Sequence, residues 1–174
     1  MEEGPIINRV ANSGLITLNL EEYYPSREIM HFDLKDHLFK ELILKEKDFR
    51  ATLKEWDWTQ YQDKNLLIYC STDAIIPVWA FMLVSASAGP FAHAIFQGDQ
   101  AAFLNHYYMQ VLSEGEYEQY DGKRIVIKGC SNKPVPPAAY AELTRRLKPF
   151  AQSVMYGEPC STVPIFKRPR AIKR

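Results

Sequence analysis

The sequence contains few cysteines, and their spacing lacks the usual signature of a structural zinc site. Only Cys70, Cys130 and Cys160 occur among 174 residues. Structural zinc sites normally draw their ligands from cysteine pairs two to four residues apart, and this chain has no such pair. Three thiols in a reducing compartment also do not make a disulfide framework. The cysteines are therefore expected to be free thiols, metal ligands or core residues.

Other familiar signals are missing as well. Neither glycine-rich phosphate-binding pattern, G-x-G-x-x-G or G-x-x-x-x-G-K-S/T, is present, so nucleotide binding of those types is not expected. The longest apolar stretch, residues 74–88, is interrupted by Pro77 and two serines and is too short to span a bilayer. The acidic start, residues 1–5, lacks the positive charge and apolar run of an export signal. We expect a cytoplasmic protein that does not enter a membrane.

The composition is typical of one folded domain. Apolar residues make up 47% of the chain and charged residues 24%, which excludes a disordered polyelectrolyte. The formal net charge is zero, yet five of the last eight residues are basic, so the remainder carries 16 basic against 21 acidic residues. We predict a single domain over residues 1–166 and a basic tail over 167–174. The tail is either a solvated terminus or a contact for nucleic acid or an acidic protein surface.

From residue 66 onward the sequence repeats a strand followed by a helix. This rhythm is typical of a parallel sheet with crossover helices. The strands are predicted at residues 66–70, 92–96, 124–128 and 153–156. We therefore predict an α/β fold, a three-layer domain with a mostly parallel sheet of about four strands.

The amino-terminal third is expected to add an extended and helical segment. Residues 15–20 alternate apolar and polar side chains, as a strand does. Between residues 32 and 58 the apolar positions recur at spacings of three and four, which predicts one bent helix or two consecutive helices.

The three cysteines each follow a predicted strand. Because parallel strands end at one edge, where ligands bind in α/β sheets, these thiols are expected to share that edge with nearby carboxylates. Thiolates and carboxylates together suit zinc or iron. The predicted metal ligands are Cys130, Cys160, Glu158, Asp73 and Cys70.

Plainer interpretations of these residues stay open. Cys70 can be an ordinary buried thiol. Cys130 or Cys160 at a helix amino terminus can act as a nucleophile, although no histidine is obviously placed to assist, and no catalytic residue is assigned. Asp33, His37 and Glu41 recur every fourth residue and would line one helix face, where a solvated flank is the simpler interpretation than a metal site.

Four segments of the chain resemble a known family. They are residues 8–15 (NRVANSGL), 44–50 (LKEKDFR), 126–130 (VIKGC) and 156–164 (YGEPCSTVP). The sequence resembles an uncharacterised bacterial family, domain of unknown function 2480, over nearly the whole chain. That family has no established activity, so the resemblance assigns no catalytic residues. Its members are often encoded beside iron–sulfur cluster assembly genes, which implies assembly proteins as partners.

We therefore expect a non-catalytic metal-binding or accessory factor, linked to iron–sulfur cluster assembly, with a cysteine and carboxylate site at the carboxyl edge of the sheet. One alternative is a cysteine-dependent enzyme that uses a thiol at the same edge. Another is an interaction module whose basic tail binds a polyanion, although nucleic acid is not the expected partner. Neither the reaction nor the oligomeric state follows from the sequence.

Overall fold

The computed structural model describes residues 14–129 and 132–169. Contacts group the chain into two compact units. The four-stranded unit comprises residues 14–24 together with the described residues from 105 onward, and the three-stranded unit comprises residues 25–104. Each unit contains one sheet. The expectation of a single domain over residues 1–166 stays a prediction.

Seven strands and four α-helices are formed by the described residues. The strands are β1 (Leu15–Asn19), β2 (Ile29–Asp33), β3 (Asn65–Tyr69), β4 (Ala94–Gln97), β5 (Arg124–Lys128), β6 (Ser153–Glu158) and β7 (Ser161–Lys167). The α-helices are α1 (Glu46–Glu55), α2 (Val78–Ala88), α3 (Gln100–Ser113) and α4 (Pro137–Leu147). Short 3-10 helices occupy Leu20–Tyr23, Leu34–His37, Trp58–Tyr61 and Glu118–Tyr120. No helix of the described part is long and apolar enough to cross a membrane.

The four-stranded unit contains a sheet in the order β1-β5-β6-β7. β1, β5 and β6 are parallel, and β7 returns antiparallel to β6 as a hairpin. Three consecutive residues of β5, from Ile125 to Ile127, are buried, as expected for a parallel strand covered on both faces. α4 connects β5 to β6 and begins at Pro137, because proline needs no hydrogen-bond donor in the first helical turn.

The three-stranded unit contains a parallel sheet in the order β2-β3-β4. Its central strand buries Leu66, Leu67 and Ile68 completely. The core of this unit also contains aromatic side chains from outside the sheet, and the Phe32 ring stacks on Trp58 with centroids 5.8 Å apart. This unit therefore has a hydrophobic core of its own.

The predicted fold class is confirmed, since the chain is α/β and its strands are mostly parallel. The placement of all four predicted strands in one sheet is wrong. The strands at residues 66 and 92 lie in the three-stranded sheet, whereas those at residues 124 and 153 lie in the four-stranded sheet. The physical reason is that the amino-terminal segment supplies one parallel strand to each sheet. β2 pairs with β3 in one sheet, and β1 pairs with β5 in the other.

Of the helical segment predicted between residues 32 and 58, residues 46–55 form the α-helix α1, whereas residues 32–45 form no α-helix. Asp33 ends β2, and its carboxylate accepts hydrogen bonds from the backbone N–H groups of Lys35 and Ser71, both at 3.0 Å. Further along, Lys40 and Glu41 adopt positive φ angles of 51° and 60°, which an α-helix cannot accommodate. Asp33, His37 and Glu41 therefore do not line one helix face, and the metal-binding alternative for this trio is wrong.

His37 has a core role instead. Its ring stacks on the Phe32 ring, with centroids 4.8 Å apart, and lies edge-on to the Trp56 ring, with centroids 5.4 Å apart. Burial lowers the pKa of His37, because removal from water disfavours the charged imidazolium. The side chain is therefore held as a neutral aromatic group at neutral pH.

The basic tail begins later than predicted. Lys167 is the last residue of β7 and lies opposite Ser153. The Arg168 guanidinium donates to the carbonyl oxygens of Pro149 and Phe150, and its backbone N–H donates to Gln152 at 2.8 Å. Lys167 and Arg168 therefore belong to the four-stranded unit, which corrects the tail boundary at residue 167. Residues 170–174 of the predicted tail lie outside the described residues.

Two truncations separate these parts of the chain. A chain that ends at Pro169 should keep the melting temperature of the full chain. A chain that ends at Phe166 should melt about 4–8 °C lower, because it loses the Arg168 hydrogen bonds and the last residue of β7. Differential scanning calorimetry measures both, with Arg168→Ala as the control for the guanidinium contacts. Equal melting temperatures for both truncations would show that Arg168 does not contribute to stability.

Candidate functional site

Three parallel strands of the four-stranded unit end at the same edge. The 3-10 helix Leu20–Tyr23 follows β1, Gly129 follows β5, and the hairpin turn at Pro159 and Cys160 follows β6. We name this edge the rim and define it by residues 19–23, 128–129, 132–136 and 157–161. In open α/β sheets, ligands bind beyond the carboxyl ends of the strands. The rim is therefore where a ligand site is expected in this sheet.

A buried carboxylate at the rim joins the ends of β1 and β5. Glu21 is 9% exposed, and its Oε1 accepts a hydrogen bond from the backbone N–H of Asn132 at 3.0 Å. Asn19 caps the turn that contains Glu21, since its Oδ1 accepts from the Glu21 N–H at 3.1 Å. Burial of a carboxylate is unfavourable unless it is hydrogen-bonded, so this contact fixes the two strand ends relative to each other.

An ion pair marks the ends of β5 and β6. Lys128 Nζ lies 3.4 Å from Glu158 Oε2, and each residue is the last of its strand. Both side chains are partly exposed, 34% and 55%, so the pair contributes roughly 0–1 kcal/mol to stability. Its main consequence is geometric, because it places opposite charges side by side at the rim.

Gly129 allows the side chain of Tyr140 to approach the end of β5. A Cβ atom at Gly129 would lie 2.7 Å from the Tyr140 hydroxyl oxygen and 3.3 Å from Leu20 Cβ. The Tyr140 ring in turn packs edge-on against Tyr156, with centroids 5.8 Å apart. The absence of a side chain at Gly129 therefore sets the position of an aromatic pair at the rim.

A cluster of Glu142 with two arginines stabilises α4, the helix that carries Tyr140. Glu142 is buried and accepts hydrogen bonds from Arg145 Nη2 at 2.6 Å and from Arg146 Nε at 2.7 Å. Hydrogen bonds from Arg145 and Arg146 lower the pKa of Glu142 to about 2, so it is a carboxylate at neutral pH. Ala139, Leu143 and Leu147 of the same helix are fully buried. These contacts fix the rotation of α4 about its own axis. The remaining face of the helix therefore keeps one orientation.

That face of α4 forms an apolar groove with the sheet, about 510 Å³ in volume. The helix and the segment before it contribute Val135, Pro137, Tyr140, Ala141 and Thr144. The strands contribute Ile127, Met155, Tyr156 and Ile165. The groove is open, since Tyr156 and Ile165 are 45% and 53% exposed. Its volume lies within the usual range for small-molecule sites, about 300–1,000 Å³.

The polar groups of the groove are hydroxyls. Tyr140, Thr144 and Tyr156 line it. Thr144 Oγ1 donates to the Tyr140 carbonyl at 2.7 Å, so its proton is engaged and its lone pairs are left to accept. No carboxylate, imidazole or thiol of the described residues lines the groove. The polar side-chain groups among its described lining residues are therefore hydroxyls.

Two of the predicted metal ligands lie on the β6–β7 hairpin. Cys160 is exposed and free in the turn, and Glu158 ends β6 and pairs with Lys128. The turn needs glycine at position 157, where φ is 121° and a Cβ would lie 2.5 Å from the Ser161 carbonyl oxygen. Cys130 lies outside the described residues, so a site that includes it stays a prediction.

The other two predicted ligands belong to the three-stranded unit. Cys70 follows β3, is half-buried and packs against the hydrophobic core of that unit, which favours its interpretation as a core thiol. Asp73 is exposed in the segment before α2. Among residues 14–129 and 132–169, no group of three or more histidine, cysteine, aspartate or glutamate side chains is placed to hold a metal ion.

The groove and Glu21 were missed from the sequence. Tyr140, Ala141 and Thr144 follow the i, i+1, i+4 spacing of one helix flank, but nothing local shows that Ile165 would face them. Glu21 and Asn132 are 111 residues apart, and an acidic residue in a turn is ordinarily solvated. The sequence feature that points most directly to this site is Gly129 at the end of a buried strand, because a glycine there indicates that another group approaches the backbone closely.

Comparison with known proteins identifies a family but no activity. The family described as a protein of unknown function (DUF2480) matches residues 4–168, so the chain belongs to it, as the resemblance predicted. No curated protein and no solved structure matches the chain significantly.

Gly129→Ala should lower the stability of the protein by about 1–3 kcal/mol, because the new methyl group would overlap the Tyr140 hydroxyl. Tyr140→Phe removes the atom that it meets. The double variant should therefore lose less stability than the sum of the two single variants. Urea denaturation of all four proteins measures this coupling energy. Strict additivity would show that Gly129 and Tyr140 do not constrain each other.

Proposed function

We propose that this family member is a non-catalytic accessory factor that binds a small, mainly apolar molecule in the groove between α4 and the four-stranded sheet. The observation that supports this proposal most strongly is the groove itself. It has the volume of a small-molecule site, about 510 Å³, and it is built from the strands that end at the rim and from the helix that follows them. Sites of this kind combine an apolar lining with a few polar groups that fix orientation.

The lining favours a ligand with one apolar ring or a short acyl chain. The edge-to-face pair of Tyr140 and Tyr156 offers a ring face and a ring edge, the preferred contacts of a further aromatic group. Met155 adds a polarizable thioether that adapts to irregular shapes. The Tyr156 hydroxyl provides a hydrogen bond for one hydroxyl or carboxylate group of the ligand.

Binding is preferred to catalysis because the described lining residues of the groove include no carboxylate, imidazole, amine or thiol. General acid–base chemistry needs a side chain with a pKa near the working pH, and nucleophilic chemistry needs an activated thiol or hydroxyl. The described side chains of the groove are aliphatic, aromatic or hydroxyl-bearing. The exposed thiol of Cys160 is in the hairpin turn and is not among the lining residues.

Two alanines on α4 provide a matched test. Ala141 lines the groove, whereas Ala138 is equally exposed but is not part of the lining. Ala141→Trp should fill the groove and weaken the binding of p-cresol and octanoate at least tenfold, while Ala138→Trp should bind both probes as the native chain does. Methyl NMR titrations that follow Ile127, Met155 and Ile165 measure the binding. Equal probe binding by both variants, or no methyl shifts in the native chain, would contradict the proposal.

A metal site at the same rim is the second candidate. Its support is the Lys128–Glu158 ion pair, which places the ends of β5 and β6 side by side. In the sequence, Cys130 follows Lys128 by two residues and Cys160 follows Glu158 by two residues. We infer that Cys130, Cys160 and Glu158 would hold zinc or iron, in the service of iron–sulfur cluster assembly proteins. Two thiolates at one site repel each other, and a bound cation, a proton or a disulfide would relieve that repulsion.

Metal analysis of freshly purified, untagged protein tests this candidate. The native chain should contain zinc or iron in a fixed ratio to protein, and Cys130→Ser and Cys160→Ser should each lose it. Cys70→Ser is the control and should retain the metal, because Cys70 packs against the core of the three-stranded unit. A native chain without metal, or equal metal in all three variants, would exclude this site. Ala141→Trp should keep the metal, which separates this candidate from the groove.

A further inference from the structure

The three-stranded unit exposes a large set of apolar side chains. Six residues are exposed by 45% to 94% and form what we name the α2 patch: Phe39, Leu42, Ile43, Ile75, Val78 and Met82. Single exposed apolar residues are common on protein surfaces, but a contiguous set marks an interaction site.

Helix α2 accounts for one half of the α2 patch. It has eleven residues and no charged side chain. Ala80, Val84 and Ala88 form its fully buried face, while Val78, Met82 and Ala86 recur every fourth residue as an exposed stripe. A surface helix normally carries polar residues on its outer face, and a helix that is apolar all round is normally covered on every side. The exposed stripe therefore indicates that something covers it.

A strained turn carries the other half of the α2 patch. Lys40 and Glu41 lie at the centre of a tight turn with φ angles of 51° and 60°, and the backbone of Phe39 bridges to Ile43 on the far side. Non-glycine residues in this conformation cost on the order of 1 kcal/mol each. The turn presents Leu42 and Ile43, which border a shallow cavity together with Asp73 and Ile75. The turn and the start of α2 thus form one continuous surface.

The area of the α2 patch matches one side of a stable interface. If a fully exposed large side chain offers about 200 Å², the six residues expose roughly 800 Å². The largest apolar patch of a typical monomer is about 300–600 Å², whereas a standard interface buries about 800 Å² on each partner.

We propose that the α2 patch is a homodimer interface, in which the Val78–Met82–Ala86 stripe packs against the same stripe of a second copy. A two-fold contact must be self-complementary, and the edges of the patch carry both signs of charge. Lys45 Nζ lies 3.4 Å from the centre of the Phe39 ring, and Asp73 borders Leu42 and Ile43. A two-fold axis can place these opposite charges across from one another, and Ala86 is small enough to let the two helices approach closely.

A lipid surface fits these residues less well than a second copy. Helices that lie on membranes carry lysine and arginine on their polar face. α2 has neither. Charges of both signs at the edges of the patch suit a second copy, because a two-fold contact can place each charge opposite its counterpart across the axis.

Two methionines allow a matched test of the dimer. Met82 lies in the α2 patch and is 65% exposed, whereas Met109 lies on α3 and is 39% exposed. By analytical ultracentrifugation of the full chain, the native protein and Met109→Glu should sediment as dimers, and Met82→Glu should sediment as a monomer. Ile75→Asp, in the segment before α2, should also give a monomer. Far-UV circular dichroism should be unchanged in all three variants, because the three side chains are exposed.

Two results would overturn this assignment. The native chain could sediment as a monomer across the accessible concentration range, or Met82→Glu and Ile75→Asp could both remain dimers. Binding of the native monomer to anionic phospholipid vesicles would assign the α2 patch to a membrane surface and would also overturn the proposal.

Discussion

The hydrogen bond between the buried Glu21 carboxylate and the Asn132 N–H is the contact on which the rim depends. It ties the turn after β1 to Asn132, which follows β5 in the chain. The three-stranded unit uses a similar device, since Asp33 at the end of β2 accepts a hydrogen bond from the Ser71 N–H after β3. There, burial favours the protonated carboxyl, but hydrogen bonds from Ser71 and Lys35 outweigh it and lower the pKa of Asp33. In both sheets, an acidic side chain joins the exits of two neighbouring parallel strands.

The groove follows from this constraint and from two further local features. Asn132 leads within a few residues to Pro137, where α4 begins, so the position of Asn132 also sets the start of the helix. Glu142 with its two arginines and the buried Leu143 and Leu147 fix how the helix is turned. Tyr140, Ala141 and Thr144 are then left to face the sheet beside the β6–β7 hairpin.

Local signals in the sequence predicted part of this arrangement. β5 was expected at residues 124–128 and forms there, because a buried parallel strand is a continuous apolar run. α4 follows β5 as the repeated strand-then-helix pattern predicted, and it begins at Pro137. β7 was not among the predicted strands; it contains Pro164, which is tolerated because β7 is an edge strand. β2 was not predicted, because Leu34 and Leu38 belong to a helical spacing of apolar residues. The strand ends at Asp33, directly before them.

The parts that could not be predicted depend on contacts between distant residues. The division of the strands between two sheets depends on the strands with which β1 and β2 pair. The periodicity of apolar residues contains no information on strand pairing. The groove requires Ile165 to lie across from α4, which a hairpin with an irregular register between Val154 and Met155 determines. For the cysteines, sequence order suggested a shared edge, but it could not show that Cys70 packs against a core in the other unit.

The central claim is that this protein binds its ligand in the groove between α4 and the four-stranded sheet. Crystals soaked with a mixture of small aromatic and acyl fragments test it most directly, because electron density reports binding sites without a prior choice of ligand. The account predicts that fragments gather in the groove between α4 and the β6–β7 hairpin, in contact with Tyr140 and Tyr156. Fragments that bind only elsewhere, with the groove free of them at every soaking concentration, would contradict it.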